Sequence, residues 1–366
     1  MAIIDNMREY YGRPRGSALF GLDGYVDEVW QVIETRESGG SYKIREKLKD
    51  FGELIVRCGE GGVSNEIIRK RRTYGGFCAN TGMAAGRLGV KTTLLGMFGK
   101  TNIEPAFEPL FDVAELISVG DPAVTQIFEF TDGKLMLPYI QEITGFGYDS
   151  LTAALPPDRI GELIANADIV SLGYWSLMPE FDGTLAGLCD GYIGKSGVKR
   201  IFFDFADLRK RSGEALSRTL RLINELSVKY RLPMTLSLNE HEAALLFSFC
   251  EEPAEVTDRR AAERSLIAAR KKTGLDELIM HTPYFAAAAT AAEGFASAPQ
   301  RFCEKPLITT GAGDNFNGGY ISACFGGLSL IERLYAGNAA TRFYVSRGRS
   351  ASAGELIKEL EFIITA

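Results

Sequence analysis

The stretch LITTGAGDNFNGGY, residues 307–320, carries the strongest indication of fold and chemistry in this chain. Gly311, Ala312 and Gly313 lack bulky side chains, so their backbone N–H groups can converge on one anion. A helical pattern follows, and the positive end of its dipole adds to the attraction. Asp314 repels phosphate, but it can accept a proton from a hydroxyl that attacks a phosphoryl group. The stretch indicates phosphoryl transfer to an alcohol; a tight turn with Asp314 as an ordinary helix cap is the alternative.

The composition excludes several classes of protein. The chain has 366 residues, 46% of them hydrophobic, and a net charge of −6. This acidic balance argues against nucleic-acid binding. No apolar run approaches the roughly 18 residues that suggest a membrane span, and the first residues lack a signal-peptide core. We therefore expect a cytoplasmic protein with neither nucleic-acid nor membrane partners.

Cysteine and histidine usage narrows the chemistry further. The 6 cysteines are scattered, without a C-x-x-C pair, which indicates reduced and buried thiols. The 2 histidines, His241 and His281, are too few for a histidine-based metal site.

Short apolar runs alternate with amphipathic stretches along the chain. This alternation predicts an α/β fold, a doubly wound and mostly parallel sheet with helices on both faces. Ligands of such sheets bind outside the carboxyl ends of the strands. Strands are predicted within 17–24, 92–99, 167–174, 199–207, 233–240 and 277–282, and helices within 80–89, 156–167, 212–230 and 259–274.

Two segments, about 25–74 and 122–146, interrupt this alternation. The second has the pattern of a hairpin that turns at Asp132-Gly133. Both leave the main pattern at predicted strand ends, so we interpret them as a small β-rich lid; unrelated surface insertions are the alternative. The basic run Arg69–Arg72 lies in the first segment. A solvated edge strand explains it best, although side chains on one face could reach a substrate phosphate.

Two further motifs lie between these regions. In YGGFCANTGMAAGRLGV (74–90), Gly75 and Gly76 allow close backbone approach, and Asn80 offers a donor and an acceptor to a polyhydroxylated ligand. In LSLNEHEAALL (236–246), Asn239 and Glu242 share one helix face, which suits a hydrated Mg²⁺ near nucleotide phosphates. Taken singly, each motif is also explained as a packed or capped helix start.

Together, and in this order, the three motifs closely resemble the ribokinase-like carbohydrate kinases, the PfkB family. The resemblance spans roughly residues 17 to 360 and includes YAGNAATRFYVSRGRSAS (335–352), similar to the final nucleotide-side helix of the family. It implies a single ribokinase-like domain over 1–366 that uses ATP and Mg²⁺ to phosphorylate a hydroxyl of a small sugar or polyol. It is also compatible with a homodimer formed through the lid.

The resemblance also implies roles for individual residues. Asp314 would be the general base, and Gly311, Ala312 and Gly313 would form the anion hole. The implied sugar ligands are Gly75, Gly76, Asn80 and Asp27, with Asp23 as second choice to Asp27. Asn239 and Glu242 would organise Mg²⁺ through water, and the implied nucleotide contacts are these two residues with Thr282, Thr310 and Asn338. DFADLRKR (204–211) is similar to a family turn at Asp204 and Arg209.

Three positions depart from the family pattern. Ile308 replaces an aspartate that helps members activated by a monovalent cation to bind it, so we expect little response to K⁺. Pro283 and Tyr284 replace a glycine turn that touches the nucleotide. The segment MFGKTNIEP (97–105) lacks an acidic pair on the substrate side.

Alternative functions stay open at this point. A non-catalytic sugar- or nucleotide-binding regulatory protein of the same fold is favoured by the altered segment around Tyr284 and opposed by the intact Asp314 motif. A nucleoside kinase of the same superfamily differs only in its substrate. A dehydrogenase is disfavoured, because no G-x-G-x-x-G follows the first predicted strand.

Overall fold

The structure is a computed structural model that describes residues 2–365, and its strands form two separate sheets. The strands are β1 (Ser17–Gly21), β2 (Tyr25–Arg36), β3 (Tyr42–Ile44), β4 (Ile67–Gly75), β5 (Lys91–Gly96), β6 (Ala114–Ser118), β7 (Ala123–Phe130), β8 (Gly133–Tyr139), β9 (Ile169–Leu172), β10 (Arg200–Asp204), β11 (Met234–Asn239), β12 (Glu277–His281), β13 (Phe285–Thr290) and β14 (Gly294–Pro299).

Helices cover both faces of the larger sheet, and one, the second in chain order, lies beside β8 of the smaller sheet. They are α1 (Ala2–Tyr11), α2 (Leu48–Arg57), α3 (Phe77–Arg87), α4 (Gln141–Thr144), α5 (Tyr148–Ala154), α6 (Pro157–Ala165), α7 (Phe181–Gly191), α8 (Gly213–Tyr230), α9 (Glu240–Phe249), α10 (Arg259–Thr273), α11 (Ala312–Ser322), α12 (Leu330–Arg347) and α13 (Ala353–Thr365).

The larger sheet has nine strands in the order β14-β13-β12-β11-β10-β9-β1-β5-β6. Strands β12 through β6 in this order run parallel, and β13 and β14 complete one edge as antiparallel neighbours. All six predicted strands belong to this sheet. The four predicted helices are present as α3, α6, α8 and α10, and together these elements confirm the predicted fold class. Strands β6, β13 and β14 were not predicted. The alanine run of β13 has low intrinsic strand preference, and its burial between β12 and β14 determines the conformation.

Two hydrophobic layers hold the helices against this sheet. One face buries residues of α6 to α10 with Trp175 and Phe203. The other buries residues of α1, α3 and α11 to α13, with Phe77 and Phe316 near its centre. Because the strands from β12 to β6 run parallel, their carboxyl ends lie at one edge of the sheet. Asp204 and Asn239 are the last residues of β10 and β11 at that edge.

The two interrupting segments pair with each other to form the smaller sheet. Its order is β3-β2-β7-β8, with β4 as a second partner of β2. Strands β7 and β8 form the predicted hairpin, in which Phe130 is opposite Gly133. Strand β4, which carries the basic run, pairs only with β2 and is therefore an edge strand. Arg69 and Arg72 both form ion pairs with Glu28, in agreement with the solvated-edge interpretation.

Within residues 2–365, no helix combines the length and the apolar character that a membrane span requires.

Candidate active site

Helix α11 presents its N-terminus to the carboxyl edge of the larger sheet. Gly311 precedes it at a φ of 84°, a conformation that favours glycine, and a Cβ there would lie 2.9 Å from the Tyr344 hydroxyl. Across residues 2–365, no oxygen accepts a hydrogen bond from the Gly311 or Gly313 amide, while the Ala312 amide donates to the Thr309 carbonyl at 3.1 Å. Two of the three predicted anion-hole amides thus have no acceptor among the residues that the structure describes.

Asp314 lies in the first turn of α11 and is 7% exposed. Its Oδ2 accepts a hydrogen bond from Asn80 Nδ2 at 3.2 Å. Burial raises the pKa of the Asp314 carboxyl well above its usual range, and the nearby charges of Asp204 and Asp23 raise it further. A carboxylate with a raised pKa is a stronger proton acceptor, so this environment suits a general base.

Small residues bring α3 and α11 close enough for this contact. A Cβ added at Gly318 would lie 2.5 Å from the Ala84 Cβ, and one added at Gly319 would lie 2.6 Å from the Ala340 Cβ on α12. The glycine pair of the motif therefore allows α11 to pack between two helices. This packing brings Asn80 and Asp314, which are 234 positions apart, within hydrogen-bonding distance.

The N-terminus of α3 is occupied by a carboxylate of the chain itself. Asp23 is fully buried, and its two oxygens accept hydrogen bonds from the Phe77 and Cys78 amides, each at 2.8 Å. A Cβ at Gly76 would lie 2.2 Å from the Asp23 carboxylate, which explains this glycine. Burial raises the pKa of Asp23 to about 7 against the effect of the two amides. Because both oxygens are engaged, the structure favours a helix-anchoring role for Asp23 over a sugar contact.

Asp27 instead faces a cavity of about 320 Å³ between the two sheets. Burial raises the pKa of Asp27 to about 6, and Thr125, Arg71 and Lys134 offset part of the shift. A Cβ at Gly75 would lie 2.5 Å from the Asp27 carboxylate, so glycine is needed there as well. The cavity is lined from the main domain by Asn80, Ile308, Thr310 and Tyr344, and from the smaller sheet by Asp27, Arg71, Glu129 and Lys134.

Asn239 and Glu242 form a capping box at the start of α9. Asn239 Oδ1 accepts from the His241 and Glu242 amides, and Glu242 Oε2 accepts from the Asn239 amide at 3.0 Å. Glu242 is 8% exposed, and burial raises its pKa, with the charge of Asp204 adding to the effect. Asp204 is also buried, with a raised pKa, and accepts from Asn317 Nδ2 at 2.8 Å.

Comparison with known proteins decides the family. The sequence model of the prokaryotic ketohexokinase family matches residues 7–361. A ketohexokinase from Haloferax volcanii is 28% identical over 345 residues, which cover 93% of this chain and 90% of that protein. A ribokinase from Haemophilus influenzae is 24% identical over 294 residues, 79% of this chain and 87% of its own length. The chain belongs to the prokaryotic ketohexokinase family.

Solved structures confirm the ribokinase-like fold of this ketohexokinase family member. Arabidopsis thaliana ribokinase complexed with ribose and ATP superposes with a TM-score of 0.63 at 17% identity, over 96% of this chain and 100% of that chain. Escherichia coli phosphofructokinase-2 in complex with substrates and products gives 0.63 at 15% identity, over 95% and 99%. The family model and the two kinase relatives confirm the predicted class, an ATP-dependent carbohydrate kinase.

The predicted nucleotide contacts occupy different environments. The Thr282 hydroxyl accepts from the Tyr284 and Phe285 amides within its own turn. Asn338 is buried, and its Nδ2 donates to the Ala298 and Pro299 carbonyls at 3.1 Å each, which ties α12 to β14. Both side chains therefore stabilise the fold. Thr310 lines the cavity instead.

Several residues of this region were not found by sequence reasoning. Lys134 and Tyr344 meet at Thr310 from opposite sides, through contacts that span 176 and 34 positions. Short-range spacing carries no signal for such contacts. Arg209 was matched to a family turn, but 73% of its side chain is exposed and it pairs with Asp207. It therefore lies outside the candidate site.

Proposed function

We propose that this chain transfers the γ-phosphoryl group of ATP to a hydroxyl of a ketohexose, with Asp314 as the general base. The observation that carries the proposal is the N-terminus of α11. There a buried carboxylate with a raised pKa lies beside amides that have no acceptor within residues 2–365. The family's name designates the ketohexose, and the Haloferax volcanii ketohexokinase supports it as a relative.

In this proposal Asp314 acts on the sugar hydroxyl, and the glycine amides act on the phosphoryl group. Asn80, which lines the cavity, donates to Asp314 and fixes the position of its carboxylate. Asp314 takes the proton as the hydroxyl oxygen attacks phosphorus. The Gly311 and Gly313 amides face the charge that develops on the phosphoryl oxygens, and fixed donors of this kind stabilise a transition state more than a ground state.

Asp27 and Asn80 are the proposed sugar ligands. Asp27 is ionised at neutral pH, since its pKa is about 6, and it can accept hydrogen bonds from two hydroxyls. The Asn80 amide offers both donor and acceptor atoms from the main-domain side of the cavity. Gly75 and Gly76 contribute by leaving room for the Asp27 and Asp23 carboxylates.

The residues at the β10 and β11 ends fit an indirectly held Mg²⁺. Asp204 and Glu242 are buried carboxylates, burial raises the pKa of each, and the charge of Asp204 raises that of Glu242 further; a cation would relieve this repulsion. Within residues 2–365, no cluster of three or more acidic, cysteine or histidine side chains could hold a metal alone. The donor set therefore fits an ion that is held through water and nucleotide phosphates, and Mg²⁺ would neutralise those phosphates during transfer.

We further propose that the smaller sheet acts as a lid. Both of its segments line the cavity. The first contributes Asp27 and Arg71, and the second contributes Glu129 and Lys134. Closing this sheet over the sugar would exclude water and limit ATP hydrolysis.

A coupled assay of ADP release with a panel of ketohexoses, aldoses and nucleosides tests the proposed function. We expect Mg²⁺-dependent turnover with a ketohexose well above that with ribose or adenosine. Preferred turnover of a nucleoside would contradict the proposed substrate. Thermal stabilisation by sugar and an ATP analogue without any turnover would identify a binding protein instead.

A further inference from the structure

Lys134 reaches from the smaller sheet to the loop that precedes α11. It is the second residue of β8, and its Nζ lies 3.3 Å from Thr310 Oγ1. Within residues 2–365, this is the one side-chain hydrogen bond that joins the smaller sheet to residues 307–314. Thr310 directly precedes Gly311, the first residue of the proposed anion hole. The contact therefore places an ammonium group at the entrance to that hole.

The charge of Lys134 is only partly neutralised by its surroundings. Its nearest carboxylate oxygen, Glu129 Oε1, is 3.8 Å away. The same oxygen accepts a hydrogen bond from Arg71 Nη2 at 3.2 Å. One carboxylate thus serves both cations, and Asp27 is the other acidic side chain that lines the cavity with them. An ammonium has three N–H donors, of which Thr310 takes one, so others remain for a ligand.

The loop itself is held from the opposite side by the main domain. The Tyr344 hydroxyl donates to the Thr310 carbonyl at 2.8 Å. Thr310 therefore stays at its position even without Lys134, and the ammonium is not needed to shape the loop. Moreover, 33% of the Lys134 side chain is exposed, so it contributes little to the core. A role in ligand chemistry explains its position better than a role in folding.

We propose that Lys134 is a catalytic residue whose ammonium contacts the transferred phosphoryl group and completes the anion hole from the smaller sheet. The proposal rests on the proposed kinase function. During transfer, the bond from phosphorus to the β-phosphate oxygen breaks and a bond to the sugar oxygen forms. Asp314 takes the hydroxyl proton, ADP leaves, and Lys134 exchanges no proton in this step. Its charge faces the phosphoryl oxygens, where negative charge must be stabilised.

The alternative is that Lys134 only fastens the smaller sheet to Thr310. Two variants distinguish these roles. Lys134→Met removes the charge, whereas Thr310→Val removes the hydrogen-bond acceptor and leaves the charge. If Lys134 only fastens the sheet, both variants break the same bond and have the same effect.

The test compares kcat and the sugar KM of the full chain at saturating ATP and Mg²⁺. We expect Lys134→Met to lower kcat by about 10²-fold, with little change in the sugar KM. Thr310→Val should cost less than about 10-fold, because the ammonium remains. Lys134→Arg should recover most of the rate, since it keeps the positive charge. The matched control is Lys70→Met, an exposed lysine on β4 outside the cavity lining, which should leave both constants unchanged.

A chemical rescue completes the test. Ethylammonium added to Lys134→Ala should raise kcat in a saturable manner and should not affect Lys70→Met. Equal losses in Lys134→Met and Thr310→Val, an unchanged kcat in Lys134→Met, or an absence of rescue would each overturn the proposal. If the wild-type chain phosphorylates no ketohexose, the proposed substrate fails, but Lys134 is still tested on the slower transfer to water. There, Lys134→Met must lower ADP release as well.

Discussion

Helices α3 and α11 both begin after a glycine at the carboxyl edge of the larger sheet, yet their N-termini differ in what they hold. At α3 the Phe77 and Cys78 amides donate to Asp23, a carboxylate from the end of β1. At α11 the Gly311 and Gly313 amides have no acceptor within residues 2–365, and the nearest carboxylate, Asp314, belongs to the helix itself. The first N-terminus is completed by the fold, whereas the second needs a ligand to complete it.

This difference shows why a glycine-rich helix start is an ambiguous signal. Both helix starts have the small residues that permit an anion to approach. What separates them is whether another part of the chain supplies the anion, and that depends on contacts over 54 positions or more. The predictions below test the two N-termini separately.

The largest expected effect is at α11. Asp314→Asn keeps the size of the side chain and can still cap the helix, but it cannot take a proton. We expect turnover to fall by about 10²- to 10⁴-fold, with nucleotide affinity unchanged or increased because repulsion with phosphate is lost. Turnover and nucleotide affinity of the folded variant provide the measurement. Near-normal turnover would mean that Asp314 has only a structural role through Asn80, as Asp23 has at α3.

The corresponding change at α3 should act mainly on stability. Asp23→Ala leaves the Phe77 and Cys78 amides buried without an acceptor, which we expect to cost about 3 kcal/mol of unfolding free energy. Denaturant unfolding measures this loss. The matched control is Asp27→Asn, which should raise the sugar KM and change stability by less than about 1 kcal/mol. If Asp23→Ala is stable but loses sugar affinity, the two aspartates have the opposite roles.

Gly311→Ala tests how much the backbone geometry of the α11 N-terminus matters. A side chain at a φ of 84° is strained, and the new Cβ would press on the Tyr344 hydroxyl. We expect kcat to fall by roughly 10-fold, since displaced amides stabilise the phosphoryl oxygens less well. Adding Tyr344→Phe removes the clash and should restore part of the rate. No recovery in the double variant would indicate that the φ strain alone is responsible.

Helix α9 has a third N-terminus, which Glu242 of the same helix caps. There we expect a smaller effect that depends on pH. The pKa of Glu242 is raised in the folded state by burial and by Asp204. The folded chain therefore binds more protons than the unfolded chain above the ordinary glutamate pKa, and its stability falls as pH rises. As pH rises from about 5 to about 9, the melting temperature of the ligand-free chain should fall, and it should fall less in Glu242→Gln. Mg²⁺ should make the melting temperature depend less on pH, because a cation favours the charged carboxylates. If Glu242→Gln showed the same pH dependence as the wild-type chain, Glu242 would not be the group responsible.

The smallest expected effect concerns monovalent cations. Ile308 lines the cavity and offers no carboxylate next to the α11 loop, so a K⁺ ion gains little there. Replacing Na⁺ with K⁺ at constant ionic strength should leave turnover within about twofold, while removal of Mg²⁺ abolishes it. A several-fold increase with K⁺ would show that the α11 N-terminus uses a cation bound elsewhere.

Sequence reasoning located what is encoded locally and missed what depends on distant contacts. The parallel strands follow from short apolar runs, and Asp314, Asn80 and Glu242 follow from motifs. The strand conformation of β13 could not be predicted from its alanines, since burial between neighbours determines it. The helix-anchoring role of Asp23 and the position of Lys134 depend on partners 54 and 176 positions away.

The packing of α11 between α3 and α12 has a consequence for how such an enzyme can diversify. With Gly318 and Gly319 at the two contacts, even one methyl group would force the helices apart, so Asp314 and Asn80 keep a nearly fixed spacing. Changes of sugar preference must therefore arise on the opposite cavity wall. That wall belongs to a separate sheet with its own hydrogen bonds, and its side chains other than Asp27 and Lys134 can be exchanged without moving Asp314 or Asn80. Libraries directed at residues such as Val29, Arg71 and Ile127 should yield altered specificity at little loss of rate, whereas libraries directed at α11 should yield inactive protein.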